Sequence, residues 1–446
     1  MSDNWVHIVG GGLAGSEAAW QALRQGCKVR LYEMRPKKLT PAHKTGLLAE
    51  LVCSNSLKSL NEGSAPGLLK REMELLDSLV VKAAKEARVP AGQALAVDRE
   101  QFSGIISKTL QNNPNFELVE DEVSSLPTED ELLKSGDCWI VSSGPLTSND
   151  LSKELLKLCG EEDELHFYDA IAPVIEGDSI NRSVVYSASR WQEGEGDYLN
   201  IPLNKDQYNA FVDEVIAAEK MPLHDFEDVK YFESCLPIEV MIERGRDTLR
   251  FGPMKPSGLN DPATGRWAYA NIQLRMEDRE GAMYSMVGFQ TKMKWPEQKR
   301  IFRTLPGLEN AEFFKLGSVH RNTYLNSPKV LTDDLSFKRN RRILLAGQIT
   351  GVEGYTESAA MGLLAGRAAA AKVLGKAAAA MPPQETMMGS LLSHVVSGGR
   401  GDYSPMNANL GLLPTIPKKR GVSKADRKAE QCSRAFEKFQ DFSSTI

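Results

Sequence analysis

The stretch that most constrains this chain is WVHIVGGGLAGSEAAWQALRQGCKVRLYEMR, Trp5 to Arg35. An apolar run of strand length, Val6 to Val9, stops at Gly10-Gly11-Gly12, where a strand cannot continue. Ser16 to Gln25 then reads as an alanine-rich helix closing at Gly26, and Lys28 to Tyr32 as a second strand. Within Gly10-x-Gly12-x-x-Gly15 the first glycine permits a tight turn, the second lets the backbone approach a pyrophosphate, and the third lets helix and strand pack closely. The helix N-terminus then faces the phosphates. Glu33, eighteen residues beyond Gly15, stands where a dinucleotide site needs a carboxylate for a ribose hydroxyl.

The same grammar returns late in the chain. Arg342 to Ala346 reads as an apolar strand, Gly347-Gln348 as a turn, and GVEGYTESAAMGLLAGRAAAAKVLG, Gly351 to Gly375, as a small-residue helix after a glycine-rich turn. A second strand-glycine-helix element is what a bulky FAD requires. Gly10, Gly12, Gly15, Glu33, Gly347, Gly351 and Gly354 are therefore the expected cofactor-binding residues. Trp139 to Val141, running into Ser142-Ser143-Gly144-Pro145, reads as another strand and tight turn near that cofactor. Between these halves, from about Asp178, short alternating segments and aromatics such as Trp267 to Leu274 replace helix-strand alternation. The expected fold is α/β, a Rossmann-like FAD-binding domain with an inserted smaller α+β domain. Its parts would be residues 1–177, an insertion at 178–312, and 313–446 with a basic C-terminal helix.

With 41% hydrophobic and 25% charged residues the chain has globular proportions, and no apolar run reaches the length of a membrane span. Nothing resembles an export signal, so a cytoplasmic location is expected. The six cysteines are scattered without a C-x-x-C pair, and histidines and carboxylates nowhere show metal-ligand spacing. No metal and no disulfide framework are expected. A net charge of −5 argues against indiscriminate coating of nucleic acid, though basic clusters occur at Arg35, Lys37 and Lys38, at Lys338 to Arg342, and at Lys418 to Lys428.

Gly67 to Arg88 reads as one long amphipathic helix, Asp98 to Leu110 as another, and Ser423 to Phe442 as a last one. Pro36 to Pro66 is long for a connection, and Cys53 sits in its middle among small polar residues; Cys235 precedes Leu236-Pro237 between Glu233 and Glu239. Both thiols stand in loops, whereas Cys27, Cys138 and Cys159 adjoin predicted elements and read as core. His320, Arg321, Asn322 and Tyr324 offer donors and acceptors for a substrate, as does Tyr355 after the second glycine turn.

With these residues assembled, the chain resembles the TrmFO family of folate- and FAD-dependent tRNA (uracil-5-)-methyltransferases, nearly end to end. The resemblance rests on VGGGLAGSEAAW, YEMRP, TPAHKT, ELVCSNSL and RVPAGQALAVDREQFS in the first half, and on FESCLPIE, FGPMKPSGL, VGFQTKMKWPEQKR, HRNTYLNSP, AGQITGVEGYTESAAMGLLAG and PMNANLGLLP thereafter. It implies transfer of a methylene group from methylenetetrahydrofolate to carbon 5 of a T-loop uridine in tRNA, with FAD and NAD(P)H supplying electrons. It also implies two catalytic cysteines, matching Cys53 and Cys235. A thiolate adding to carbon 6 turns carbon 5 into a nucleophile; Cys235 is assigned that role and Cys53 the protection or support of the flavin, an order that the resemblance also allows to be reversed. Carbon 5 then takes up the methylene, which is reduced to methyl. A buried T-loop base must be extruded first, which gives weight to Lys418, Lys419, Arg420 and Lys424 as RNA contacts. Gln348 stands where many FAD enzymes place an aspartate. Ribosomal RNA as acceptor, or a flavoprotein oxidase or RNA-binding module without methyl transfer, are the alternatives.

Overall fold

The first apolar run forms strand β1 (Trp5–Val9), the alanine-rich segment forms helix α1 (Leu13–Arg24), and strand β2 (Lys28–Tyr32) returns beside β1 in parallel. The computed structural model describes residues 4–40, 42–159, 165–192, 194, 196–221, 236–278, 281–398, 403, 405–416 and 423–446, with the side chains of 165–171, 318–323 and 424–425 left outside the description. Val6 to Val9 are all buried, as expected of a central strand covered on both faces. The sheet has six strands in the order Ser336–Phe337, Asn340–Leu345, Cys138–Val141, β1, β2, Phe116–Val119. Every neighbouring pair is parallel except the first, where a short hairpin turns back on the edge. The helix Tyr355–Val373 lies against α1, and no ordinary pair of helices could approach so closely. A Cβ at Gly362 would sit 2.1 Å from the Ala14 carbonyl oxygen, and one at Gly366 2.5 Å from that of Ala18.

The expected helix over 67–88 is two helices, α2 (Ala65–Leu75) and α3 (Leu79–Glu86). The break is at Asp77, held at φ 56°, after which the Ser78 side chain accepts from the Val81 amide and caps α3. Glu17 of α1 completes that cap, accepting from the Ser78 hydroxyl at 2.7 Å and the Val80 amide at 2.9 Å. Helix α4 (Arg99–Gln111) starts where expected, with Asp98 capping it through the Gln101 amide.

The second sheet is antiparallel throughout, in the order Tyr186–Ser187, Tyr198–Leu203, Ala270–Met276, Met283–Met286, Val174–Glu176, Phe313–Lys315. It carries its own core, in which Phe211, Phe289 and Phe302 meet at ring distances of 6.0 to 6.5 Å under the helices Lys205–Ala217 and Trp295–Phe302. An antiparallel ribbon of Leu165–Ile171 with Ser318–Tyr324 carries the chain into and out of this part. The seam between the two bodies is mostly polar, with Tyr198 also packed against a small apolar cluster of Val89, Ala91 and Ala96. Asn55 exchanges hydrogen bonds with Arg275 and the Met276 carbonyl, Arg99 pairs with Glu277, and the Tyr198 hydroxyl donates to the Ala91 carbonyl. No helix among the described residues is long and apolar enough to cross a membrane.

Candidate cofactor and thiol site

A cleft opens over the carboxyl ends of β1 and β2, lined among others by Gly10, Gly12, Glu33, Ser143, Gly347 and Tyr355. The three glycines of the fingerprint serve different needs. A Cβ at Gly15 would come within 1.9 Å of the Gly10 carbonyl oxygen, and one at Gly10, itself at φ 98°, within 2.6 Å of that of Ser142. Both are demanded by protein packing. A Cβ at Gly12 would meet nothing within 4 Å, and Gly12 has a φ of −72° that any residue adopts. Its freedom is directed at the cleft. No side chain caps α1, so the turn presents backbone amides and open space where a pyrophosphate would lie. These groups fit a dinucleotide.

Glu33 sits at the cleft wall, 6% exposed, and its carboxylate is fully engaged. Oε1 accepts from the Arg35 amide (3.1 Å) and Nε (2.9 Å); Oε2 accepts from the Gly11 amide (2.8 Å) and Arg35 Nη2 (3.0 Å). Burial by itself would raise the Glu33 carboxyl, but Arg35 beside it holds it below the ordinary carboxylate value. A ribose hydroxyl reaching Glu33 would share an oxygen with these donors. Arg35 is itself 1% exposed and extends to Glu50 at 3.2 Å. The reading of Arg35 from sequence as part of an exposed basic cluster with Lys37 and Lys38 is thus corrected: its charge is taken up by the buried Glu33 and the half-buried Glu50. Lys338 and Arg342 of the second basic cluster likewise donate to protein carbonyls, of Pro328 and Lys329 and of Gly136 and Asp137.

His43, which lines the same cleft, is pushed down to about 4 by burial and then by the neighbouring Arg35 charge. Its Nδ1 lies 2.6 Å from the Thr40 hydroxyl. His43 and Glu50 were not singled out from sequence as site residues. The TPAHKT and ELVCSNSL runs contain them, but only the fold shows that Glu50 gathers the Lys44 and Thr45 amides into one loop with Arg35.

Cys53 is half-buried beside this loop, and its neighbour Val52 lines the cleft. The Tyr355 hydroxyl, at the first position of the Tyr355–Val373 helix, accepts from the Cys53 amide at 2.7 Å and the Ser54 amide at 3.2 Å. Burial pushes the Tyr355 phenol up, so it stays protonated. The cleft-lining tyrosine and the thiol segment are thereby one unit. Cys27 and Cys138 are of another kind: both are buried, and burial lifts Cys27 to about 11 and Cys138 to about 12.

Gly347 lines the cleft. Gly351 and Gly354 have positive φ and close protein neighbours: added Cβ atoms would meet the Tyr403 hydroxyl at 2.4 Å and Glu357 Oε2 at 2.4 Å. Tyr324 is buried at 4% exposure, its ring 6.2 Å from Tyr403. The backbone of His320, Arg321 and Asn322 pairs with Phe167 to Asp169 in the ribbon, while their side chains lie outside the description. Cys235, Lys418, Lys419 and Arg420 lie outside the described residues. Leu236, next to Cys235, is buried, and Ile238–Glu243 forms a short helix anchored by Glu239, which accepts from the Thr291 hydroxyl and the Met293 amide. Lys424 starts the helix Lys424–Ser443, capped by Ser423. Among the described residues no group of three or more His, Cys, Asp or Glu could hold a metal ion.

A family model described as glucose inhibited division protein A matches residues 5–377. Relatives named methylenetetrahydrofolate–tRNA-(uracil-5-)-methyltransferase TrmFO include that of Desulfotalea psychrophila, 51% identical over 96% of this chain and 96% of its own. That of Geobacter sulfurreducens is 50% identical over 99% of each chain, and that of Staphylococcus carnosus 48% identical over 100% of each. Among solved structures, GidA of Aquifex aeolicus has the same fold, with a TM-score of 0.70 at 16% identity, covering 99% of this chain and 74% of its own.

Proposed function

The chain belongs to the TrmFO family, and on that premise we propose that it methylates carbon 5 of a T-loop uridine in tRNA, in the cytoplasm, taking the carbon from methylenetetrahydrofolate. The single observation that carries this is the joining of Cys53 to the dinucleotide cleft through Tyr355. A reactive thiol and a redox cofactor are needed together because the donated methylene must gain two electrons to become a methyl group. FAD, when bound, supplies those electrons, drawn from NAD(P)H.

The chain's own residues would divide the rest. Gly12, the amino end of α1 and Gly347 would hold the cofactor, with Glu33 toward its ribose and Ser143 beside it. One thiolate adds to carbon 6 of the uracil and leaves again when the carbon 5 proton is lost; we assign this to Cys235 and the support of the cofactor's one-carbon chemistry to Cys53. His43, neutral near pH 7, would line the cleft without adding charge. The inserted unit, expected at 178–312 and carrying a sheet whose strands run from Val174 to Lys315, would face the RNA. The basic run Lys418, Lys419, Arg420 and Lys424 would neutralise phosphates, and His320, Arg321 and Asn322 would reach the nucleotide.

The test is incubation of the purified protein with unmodified tRNA, labelled methylenetetrahydrofolate and NAD(P)H, ribosomal RNA running in parallel, and nucleosides read by mass spectrometry. Labelled 5-methyluridine at the T-loop is expected, and its loss in Cys53→Ala and in Cys235→Ala. Product confined to ribosomal RNA would move the acceptor, and a yellow protein that methylates neither would end the proposal.

A further inference from the structure

The Cys53 segment is gripped by side chains from outside the cleft as well as by Tyr355. Arg99, the first residue of α4, donates from Nη1 to the Leu51 carbonyl at 2.8 Å and from Nη2 to the Cys53 carbonyl at 3.3 Å. Lys315, from the second sheet, donates to the Val52 carbonyl between them at 3.2 Å. Three successive carbonyls thus end on cations, while the Cys53 and Ser54 amides end on Tyr355.

The guanidinium is oriented from the other side. Its Nε and Nη2 meet Glu277 at 2.8 and 2.6 Å, and the Glu277 side chain, 2% exposed, stands just past the end of the Ala270–Met276 strand of the second sheet. Two residues earlier Arg275 Nε donates to Asn55 Oδ1 at 2.9 Å, and Asn55 Nδ2 donates to the Met276 carbonyl at 3.0 Å. An ion pair that only joined two bodies would leave the outer guanidinium donors free for water. Here they are spent on the carbonyls on either side of Val52, one of them that of Cys53 itself.

We propose that Arg99 and Glu277 are positioning residues for Cys53: Glu277 fixes the plane of the guanidinium, the guanidinium fixes the carbonyls of Leu51 and Cys53, and the direction of the thiol follows. Placement of the thiol then depends on how the second sheet is seated. This rests on Cys53 serving the proposed reaction, and neither residue touches the reacting atoms. Lysine at 99 keeps the charge but is a single point donor that cannot hold a carboxylate and two carbonyls in one plane.

The test compares wild type, Arg99→Lys and Glu277→Gln as FAD-loaded holoenzymes. Both variants are expected to keep FAD content and flavin spectrum close to wild type, while the melting temperature falls as a buried ion pair is weakened. Their kcat should fall about 10- to 100-fold, the cost of a small misplacement of a reacting group, with KM for tRNA nearly unchanged. Alkylation of Cys53 by iodoacetamide, followed on its peptide by mass spectrometry, should change several-fold while buried Cys138 stays protected. Wild-type kcat and Cys53 alkylation in both variants would overturn the proposal, as would a loss of FAD in step with kcat, which assigns the pair a structural role. If wild type itself methylates no tRNA, the function proposed above fails, and the alkylation comparison still decides this one.

Discussion

Gly12 owes its identity to nothing in the surrounding protein. With an ordinary φ and no neighbour within 4 Å of an added Cβ, Gly12→Ala should fold with an unchanged melting temperature. It should bind FAD more weakly, by roughly 5- to 150-fold, the affinity equivalent of about 1–3 kcal/mol of overpacking against the ligand. Titration of apoprotein with FAD, beside a thermal melt, checks both halves. Gly15→Ala should fail at folding instead, because its Cβ would strike the Gly10 carbonyl. At the cleft wall, acid sensitivity has two windows. His43 falls to about 4 in the folded chain from an ordinary 6.5, so between those values the unfolded chain binds the proton and the folded one does not. Stability drops as pH falls through that range, by about 3 kcal/mol at most. Glu33 and Glu50 are held below their ordinary values, so their contribution is lost only as pH falls below about 4.5. His43→Gln should flatten the first limb of a stability-pH curve and leave the second.

Between elements, the closest approach is that of α1 with the Tyr355–Val373 helix, where Gly362 and Gly366 meet the carbonyls of Ala14 and Ala18. Gly362→Ala must push two backbones apart, and a loss of about 1–3 kcal/mol is expected in denaturant melts. Gly104, inside α4, is the contrast: a Cβ there meets nothing, so Gly104→Ala should stabilise by about 0.4–1 kcal/mol. The β-α-β unit was legible in sequence because strand, glycine turn and helix are dictated locally. The division of 67–88 was not, because Leu75, Leu76 and Leu79 continue a helical period across it while the interruption depends on Glu17, about sixty residues upstream in another helix. The cleft wall shows the same limit. Glu33 was legible from its spacing; that Arg35 would be buried between Glu33 and Glu50, rather than exposed with Lys37 and Lys38, follows from a loop that closes on itself through contacts of no fixed period.

At the scale of the molecule the described residues form two large hydrophobic cores that meet across a mostly polar seam, with a small apolar cluster of Val89, Ala91 and Ala96 packed against Tyr198 there, and the described residues that line the cleft all belong to the first body. Calorimetry should therefore resolve two transitions, of which only one rises with FAD concentration. A single FAD-dependent transition would mean that the seam transmits the full binding energy. The attachment of the second body has a further consequence. Its incoming strand, Val174–Glu176, is hydrogen-bonded to its outgoing strand, Phe313–Lys315, with Val174 opposite Lys315. Two chain passages so paired lie roughly 5 Å apart, so for the host fold the whole excursion is topologically a hairpin. A tight turn could replace it without moving either neighbour, and its length costs the host only a logarithm in closure entropy.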